Sequence, residues 1–171
     1  MEQNRIPDAR AIDRIVATYS DMLLRIAVNR VQNLSEAEDI VQSVYVRLMT
    51  ARPRFRNEEH ERAWLIRTAI NLCKDYHKSA VRRSNVPLDE EAAAAFPEET
   101  IEVLDAVHRL PEKDRYAVYL YYYEQMPAKE IARVLGEREG TVTSRLYRAR
   151  KKLKTLLKGD DHGNGTIPDR V

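Results

Sequence analysis

An all-α protein of two helical modules is the fold class predicted for this chain of 171 residues, and three observations predict it. Apolar residues recur at three-four spacing along most of the sequence, the period of an amphipathic helix. The five glycines, Gly136, Gly140, Gly159, Gly163 and Gly165, leave residues 1–135 without one. Tight hairpins favour glycine because their turns require positive φ, so a glycine-free stretch of that length argues against a sheet. Charge is also segregated, although its net value is only +2. Residues 87–105 carry seven acids and no Lys or Arg, whereas residues 141–158 carry seven bases and no acid. A third cluster, Arg52 to Arg83, is base-rich with acids interspersed. Two cationic regions flanking an anionic one fit two modules that meet a polyanion, joined by a piece that does not.

In the first module (residues 1–83), a helix over about 8–31 carries Ile12, Ile15, Val16, Tyr19, Leu23, Ile26, Ala27 and Val31 on one stripe. Ser35 followed by Glu38 reads as a capping box, which starts a second helix running to about Thr50. Its stripe is Ile40, Val41, Val44 and Leu48, and Pro53 ends it. After the loop RPRFRNEEH, a third helix over about 61–82 turns Trp64, Leu65, Thr68, Ala69, Leu72, Cys73 and Tyr76 inward. These make a three-helix bundle.

Residues 84–99, with Pro87, Pro97, clustered acids and an alanine run, read as a flexible acidic linker with a short helical stretch at the alanines. The second module (residues 100–158) has helices near 99–109, 112–124, 128–135 and 139–157, making a four-helix domain. Pro111 and Pro127 are expected in first helical turns, where a missing N–H costs nothing. The tail from residue 159, rich in glycine and poor in apolar residues, is expected to be disordered.

Residues 128–147, AKEIARVLGEREGTVTSRLY, fit a helix-turn-helix. Ala132 lets the helices approach, Gly136 supplies the left-handed turn residue, and Val142 plugs the core with Ile131, Leu135 and Leu146. At about 100° per residue, Val142, Leu146, Ala149, Leu153 and Leu156 form one stripe of the second helix. Thr141, Ser144, Arg145, Arg148 and Lys152 fall together on a solvent-facing sector. Hydroxyls and arginines near a helix N-terminus suit a major groove, where Arg pairs bidentately with guanine, while Lys151 and Lys154 can hold phosphates.

Other classes find little support. A Rossmann fingerprint or P-loop needs glycines at spacings absent here. No catalytic triad has context, and the four histidines are scattered. Cys73 and His77 are two of the four ligands a structural metal needs. Neither enzymatic activity, a metal nor a cofactor is expected. The lone cysteine suits a reducing cytosol. No run of eighteen apolar residues and no signal-peptide segment occur, so a cytoplasmic chain without a membrane span is expected.

Three stretches, AEDIVQSVYVRL (37–48), AWLIRTAINLCKDYHKSAVRR (63–83) and LPEKDRYAVYLYYYEQMPAKEIARVLGEREGTVTSRLYRARKKL (110–153), together resemble the extracytoplasmic-function (ECF) sigma factors, the two-domain branch of the bacterial housekeeping sigma family. The resemblance covers most of residues 10–158. It implies a region 2-like module (1–83) that docks on core RNA polymerase and reads the promoter −10 element. It implies a region 4-like module (100–158) that reads the −35 element. Implied core-polymerase contacts, on the β′ clamp helices, are Asp39, Gln42 and Arg47; the β flap is a second implied polymerase contact. Implied −10 contacts are Arg54, Phe55, Arg56 and Asn57 in the loop, with Trp64, Arg67, Asn71, Tyr76, Lys78, Arg82 and Arg83 on the third helix. Such groups stack on unpaired bases or track phosphates, although the spacing of Trp64 with Thr68 and Leu72 favours the core. Implied −35 contacts are Thr141, Thr143, Ser144, Arg145, Tyr147, Arg148, Lys151 and Lys152. An anti-sigma partner that clamps the two modules is also implied. Thr143, Glu137, Arg138 and Pro127 depart from the usual pattern.

The competing function class is a one-component helix-turn-helix regulator, whose N-terminal bundle binds ligand or dimerises. It would grip duplex operator without polymerase, whereas the sigma reading requires core enzyme for promoter recognition.

Overall fold

The computed structural model describes residues 7–79, 90, 94 and 101–159, with side chains at 7–76, 90, 94 and 105–157. Among the described residues the regular structure is helical. The chain divides into two compact units, residues 1–96 with 133–136 and residues 97–132 with 137–171.

The first unit is the expected three-helix bundle: α1 (Ala9–Val31), α2 (Leu34–Ala51) and α3 (Glu58–Ser79). Asp8 caps α1 by accepting the Ala11 amide at 2.8 Å. Gln32, left-handed at φ 59°, closes α1 by donating its amide to the Val28 carbonyl. The start of α2 differs from the expected capping box. Asn33, not Ser35, is the cap, its Oδ1 taking the Glu36 amide at 3.0 Å while its carbonyl takes that of Ala37. Arg52 ends α2 in the left-handed region at φ 45°.

Helix α3 begins three residues earlier than its spacing predicts, because Asn57 Oδ1 accepts the His60 amide at 2.8 Å and draws Glu58 and Glu59 into the first turn. Ile15, Leu23, Ala27, Val44, Leu65, Ile66, Ala69 and Cys73 are wholly buried between the helices. Ile66 and Ile70 widen the inward face of α3 beyond the expected stripe, while Trp64, Leu72 and Tyr76 are half-buried. Val16, expected inside, is exposed. Polar ties also cross the bundle. Arg14 donates to the buried carboxylate of Glu61 at 2.7 Å, and that bond holds the guanidinium above its usual range. The Ser20 and Tyr45 hydroxyls share a hydrogen bond of 2.7 Å.

Of the acidic linker, Glu90 and Ala94 are described: the Ala94 amide bonds the Glu90 carbonyl at 3.2 Å. The remaining linker positions and the tail beyond Gly159 lie outside the described residues.

Beyond the linker follow α4 (Ile101–His108), α5 (Glu112–Val118), α6 (Ala128–Leu135) and α7 (Glu139–Gly159). Pro111 and Pro127 sit one step before the first helical turns expected for them. The Pro111 carbonyl takes the Asp114 and Arg115 amides, and that of Pro127 takes Glu130 and Ile131. The helix expected over 112–124 changes pitch at Tyr119–Tyr123, a π turn in which the Glu124 amide reaches the Tyr119 carbonyl at 3.3 Å. The Tyr119 hydroxyl donates to Glu124 at 2.8 Å, and its ring stacks on Tyr123 with centroids 5.3 Å apart.

Candidate nucleic-acid interface

The geometry of the helix-turn-helix follows from three small choices in the sequence. Gly136 takes φ +68°, a region that costs an L-residue about 1–2 kcal/mol, and lets the Glu137 amide close on the Ala132 carbonyl at 2.9 Å. Ala132 is buried beside Ile131, and Val142 is wholly enclosed. Helix α7 then runs with Val142, Leu146, Ala149 and Leu153 inward.

Its opposite face carries Thr141, Thr143, Ser144, Tyr147, Arg148, Lys151, Lys152 and Lys154, all exposed. Tyr147 is 58% exposed, unusual for a large ring, and the Lys151 ammonium lies 5.0 Å from its centroid. The Thr143 hydroxyl donates back to the Glu139 carbonyl at 3.1 Å, which leaves it less hydrogen-bonding capacity to spare. Two arginines of the basic run serve the fold instead. Arg150 donates through Nε to the Tyr122 hydroxyl at 2.9 Å.

Arg145, placed by its position on the solvent-facing sector, is turned inward and corrects that expectation. It bonds Asp114 at 2.7 Å and Glu137 at 3.0 Å, with its side chain 14% exposed. Burial works against its charge, but the bonds to Asp114 and Glu137 outweigh it and hold the guanidinium above its usual range.

The first unit presents a second basic surface. Arg54, Arg56 and Asn57 are exposed in the loop before α3, and Arg67 and Asn71 are exposed on α3 itself. Phe55 is not available for stacking on a base: it is buried, edge-on to His60 and Trp64 with centroids 5.8 Å away in each case. The Arg56 amide approaches His60 Nδ1 at 3.3 Å. The loop is therefore pinned at its middle, with cationic residues on either side of the pin. Lys78 falls in the last turn of α3 with its side chain outside the described residues, as are Arg82 and Arg83.

The family models match this layout. Sigma-70 region 2 matches residues 15–83, and Sigma-70, region 4 matches residues 100–153. The RNA polymerase sigma-H factor of Pseudomonas aeruginosa is 30% identical over 172 residues, covering 88% of each chain. The ECF RNA polymerase sigma factor BldN of Streptomyces coelicolor is 30% identical, covering 94% of this chain and 65% of its own length. The chain belongs to the ECF sigma factors.

Its all-α, two-module fold agrees: CnrH, solved in complex with the cytosolic domain of CnrY, is 27% identical with a TM-score of 0.70, covering 90% of this sigma factor and 91% of CnrH. On α2 of this sigma factor, Asp39 and Gln42 are exposed. Val46 and Met49 continue their line at three-four spacing, and both are exposed large apolar residues, 53% and 48%. They were legible from that spacing but fell outside the expected contacts. Arg47 lies off this line, 4.0 Å from Asp75 of α3. The bonds from Arg145 to Asp114 and Glu137, and the packing of His60 against Phe55, lay outside the sequence expectations. No helix among the described residues is long and apolar enough to cross a membrane, and no cluster of metal-ligating side chains occurs among them.

Proposed function

We propose that the two units of this sigma factor divide promoter recognition between them. Residues 1–83 dock on the β′ clamp helices of core RNA polymerase through the exposed face of α2, and engage the −10 element through the loop before α3 and the outer side of α3. Residues 100–158 approach the β flap and read the −35 element with α7, while residues 84–99 act as the acidic connector. The observation that carries this reading is the outward face of α7. It is a stretch of basic and hydroxyl side chains without an acid, set behind a turn whose glycine is left-handed. Such a face suits the major groove, with Arg148 positioned for a base and Lys151 and Lys152 for phosphates. The protein works in the cytoplasm by binding rather than catalysis. An anti-sigma factor holds it inactive, as the family resemblance implies; CnrH, 27% identical to this chain, was solved with a partner chain, the cytosolic domain of CnrY.

Promoter binding measured by electrophoretic mobility with and without core polymerase tests the proposal. A shift that requires core enzyme is expected. Tight operator binding by the free protein would instead assign a one-component regulator. Arg148→Ala is expected to cost about 1–3 kcal/mol in promoter affinity, concentrated on one −35 position. An equal loss on every −35 sequence would make Arg148 a phosphate contact.

A further inference from the structure

Arg145 lies within the recognition helix, yet its three bonding nitrogens are all turned to the protein. Nη1 is 2.7 Å from Asp114 Oδ1, Nη2 is 3.0 Å from Glu137 Oε1, and Nε is 3.3 Å from Glu137 Oε2. The side chains of Arg145, Asp114 and Glu137 are 14, 13 and 16% exposed. Each stands on a different element around the helix-turn-helix. Asp114 is in the first turn of α5, Glu137 is in the turn after Gly136, and Arg145 is in the second turn of α7. A planar guanidinium fork that meets one carboxylate through two nitrogens fixes direction as well as distance, which a lysine ammonium cannot do. Lys113 adds a second base 3.9 Å from Glu137, so two bases and two acids balance within the cluster.

We propose that Arg145 is a positioning residue for promoter reading: clasped by Asp114 and Glu137, it sets the rotation and depth at which α7 offers Ser144, Tyr147 and Arg148 to the −35 element, without touching DNA itself. This rests on the −35 reading of α7 proposed above. A sign argument separates it from direct contact. Acids near DNA repel phosphates, so neutralising them ordinarily strengthens binding. Acids that act by holding Arg145 in place weaken binding when neutralised.

The test uses holoenzyme assembled with core polymerase, promoters carrying the preferred or a scrambled −35 element, and a series of salt concentrations. Isosteric Asp114→Asn/Glu137→Gln and Arg145→Met are each expected to lose roughly tenfold in affinity for the preferred promoter, and to narrow its advantage over the scrambled one. Combining all three changes should add little to either loss. Arg145→Lys should recover part of the affinity, and thermal melting verifies that each variant is folded at the assay temperature. The salt slope should match the parent, whereas a lost phosphate contact makes it shallower by about one. Tighter binding by the acid-neutralised variant, or a shallower slope for Arg145→Met, overturns the proposal. So does an unchanged −35 preference in folded variants, which would leave the cluster a purely stabilising role. Arg148→Ala runs alongside. If it relaxes the preference while the acid variant binds more tightly, positioning alone fails. If neither set changes the preference, the −35 reading fails and the positioning role falls with it.

Discussion

Exchanging glycine for alanine at two places only four residues apart should move stability in opposite directions. Gly136 has φ +68°, and a Cβ built there meets nothing within 4 Å. The cost is therefore backbone strain without a clash, about 1–2 kcal/mol. It is offset in part by the narrower unfolded ensemble of alanine, worth about 0.4–1 kcal/mol. A net loss near 1 kcal/mol is expected for Gly136→Ala. Gly140 lies in the first turn of α7, and its added Cβ also meets nothing within 4 Å. There the same methyl removes glycine's entropic penalty and should gain about 0.5 kcal/mol, the low end for a helix because the site is near its end. For a unit of this size, 1 kcal/mol corresponds to a shift of about 4–8 °C. Thermal unfolding of the full chain, followed by far-ultraviolet circular dichroism, should show the midpoint falling for Gly136→Ala and rising for Gly140→Ala. Asparagine at 136, which tolerates the left-handed region, should recover much of the loss. Equal stability of Gly136→Ala and the parent would refute the strain argument.

Phe55→Ala should cost about 3 kcal/mol, the lower end for a buried ring, because it empties the space against His60 and Trp64; chemical denaturation reads this, and a stability change under 1 kcal/mol would return Phe55 to the exposed loop. Asn33→Ala should lose about 1 kcal/mol through the missing α2 cap, while Ser35→Ala should lose almost nothing; the reverse order would restore the Ser35 capping box. Burial raises the hydroxyl pKa of both Tyr19, beside Glu61, and Tyr45 above the ordinary 10.0. Their contribution to stability is thus complete below pH 10.0 and declines as pH climbs through the raised native values; Tyr19→Phe/Tyr45→Phe should flatten the alkaline limb of the stability curve, and an unchanged limb would contradict the burial argument.

The helices were legible because each buries a stripe whose period is written in its own residues. That is why α1, α2, α4, α6 and α7 lie close to their expected bounds. Errors arose where neighbours compete or where the partner is distant. Ser35 and Glu38 satisfy a capping pattern, but Asn33 reaches the helix start first and takes the Glu36 amide. The angular position of Arg145 places it at the border of the outward sector, and its length lets it reach either side. Asp114, 31 residues earlier in the chain, and Glu137 together decide which. Phe55 has the chemistry of a base-stacking residue, and nothing in its immediate sequence reveals that His60 and Trp64 enclose it. Glu137, which departs from the family pattern when read alone, makes sense once Arg145 is seen against it.

The turns of the first unit carry a consequence of their own. Gln32 and Arg52 occupy left-handed conformations that glycine usually fills, at φ 59° and 45°. Each bears native strain, yet each also denies the chain the many alternative paths glycine would open. The joints at the two ends of α2 are therefore stiff, and the face bearing Asp39, Gln42, Val46 and Met49 is preformed. A partner meeting that face need supply little ordering entropy, so more of its contact energy is retained as affinity.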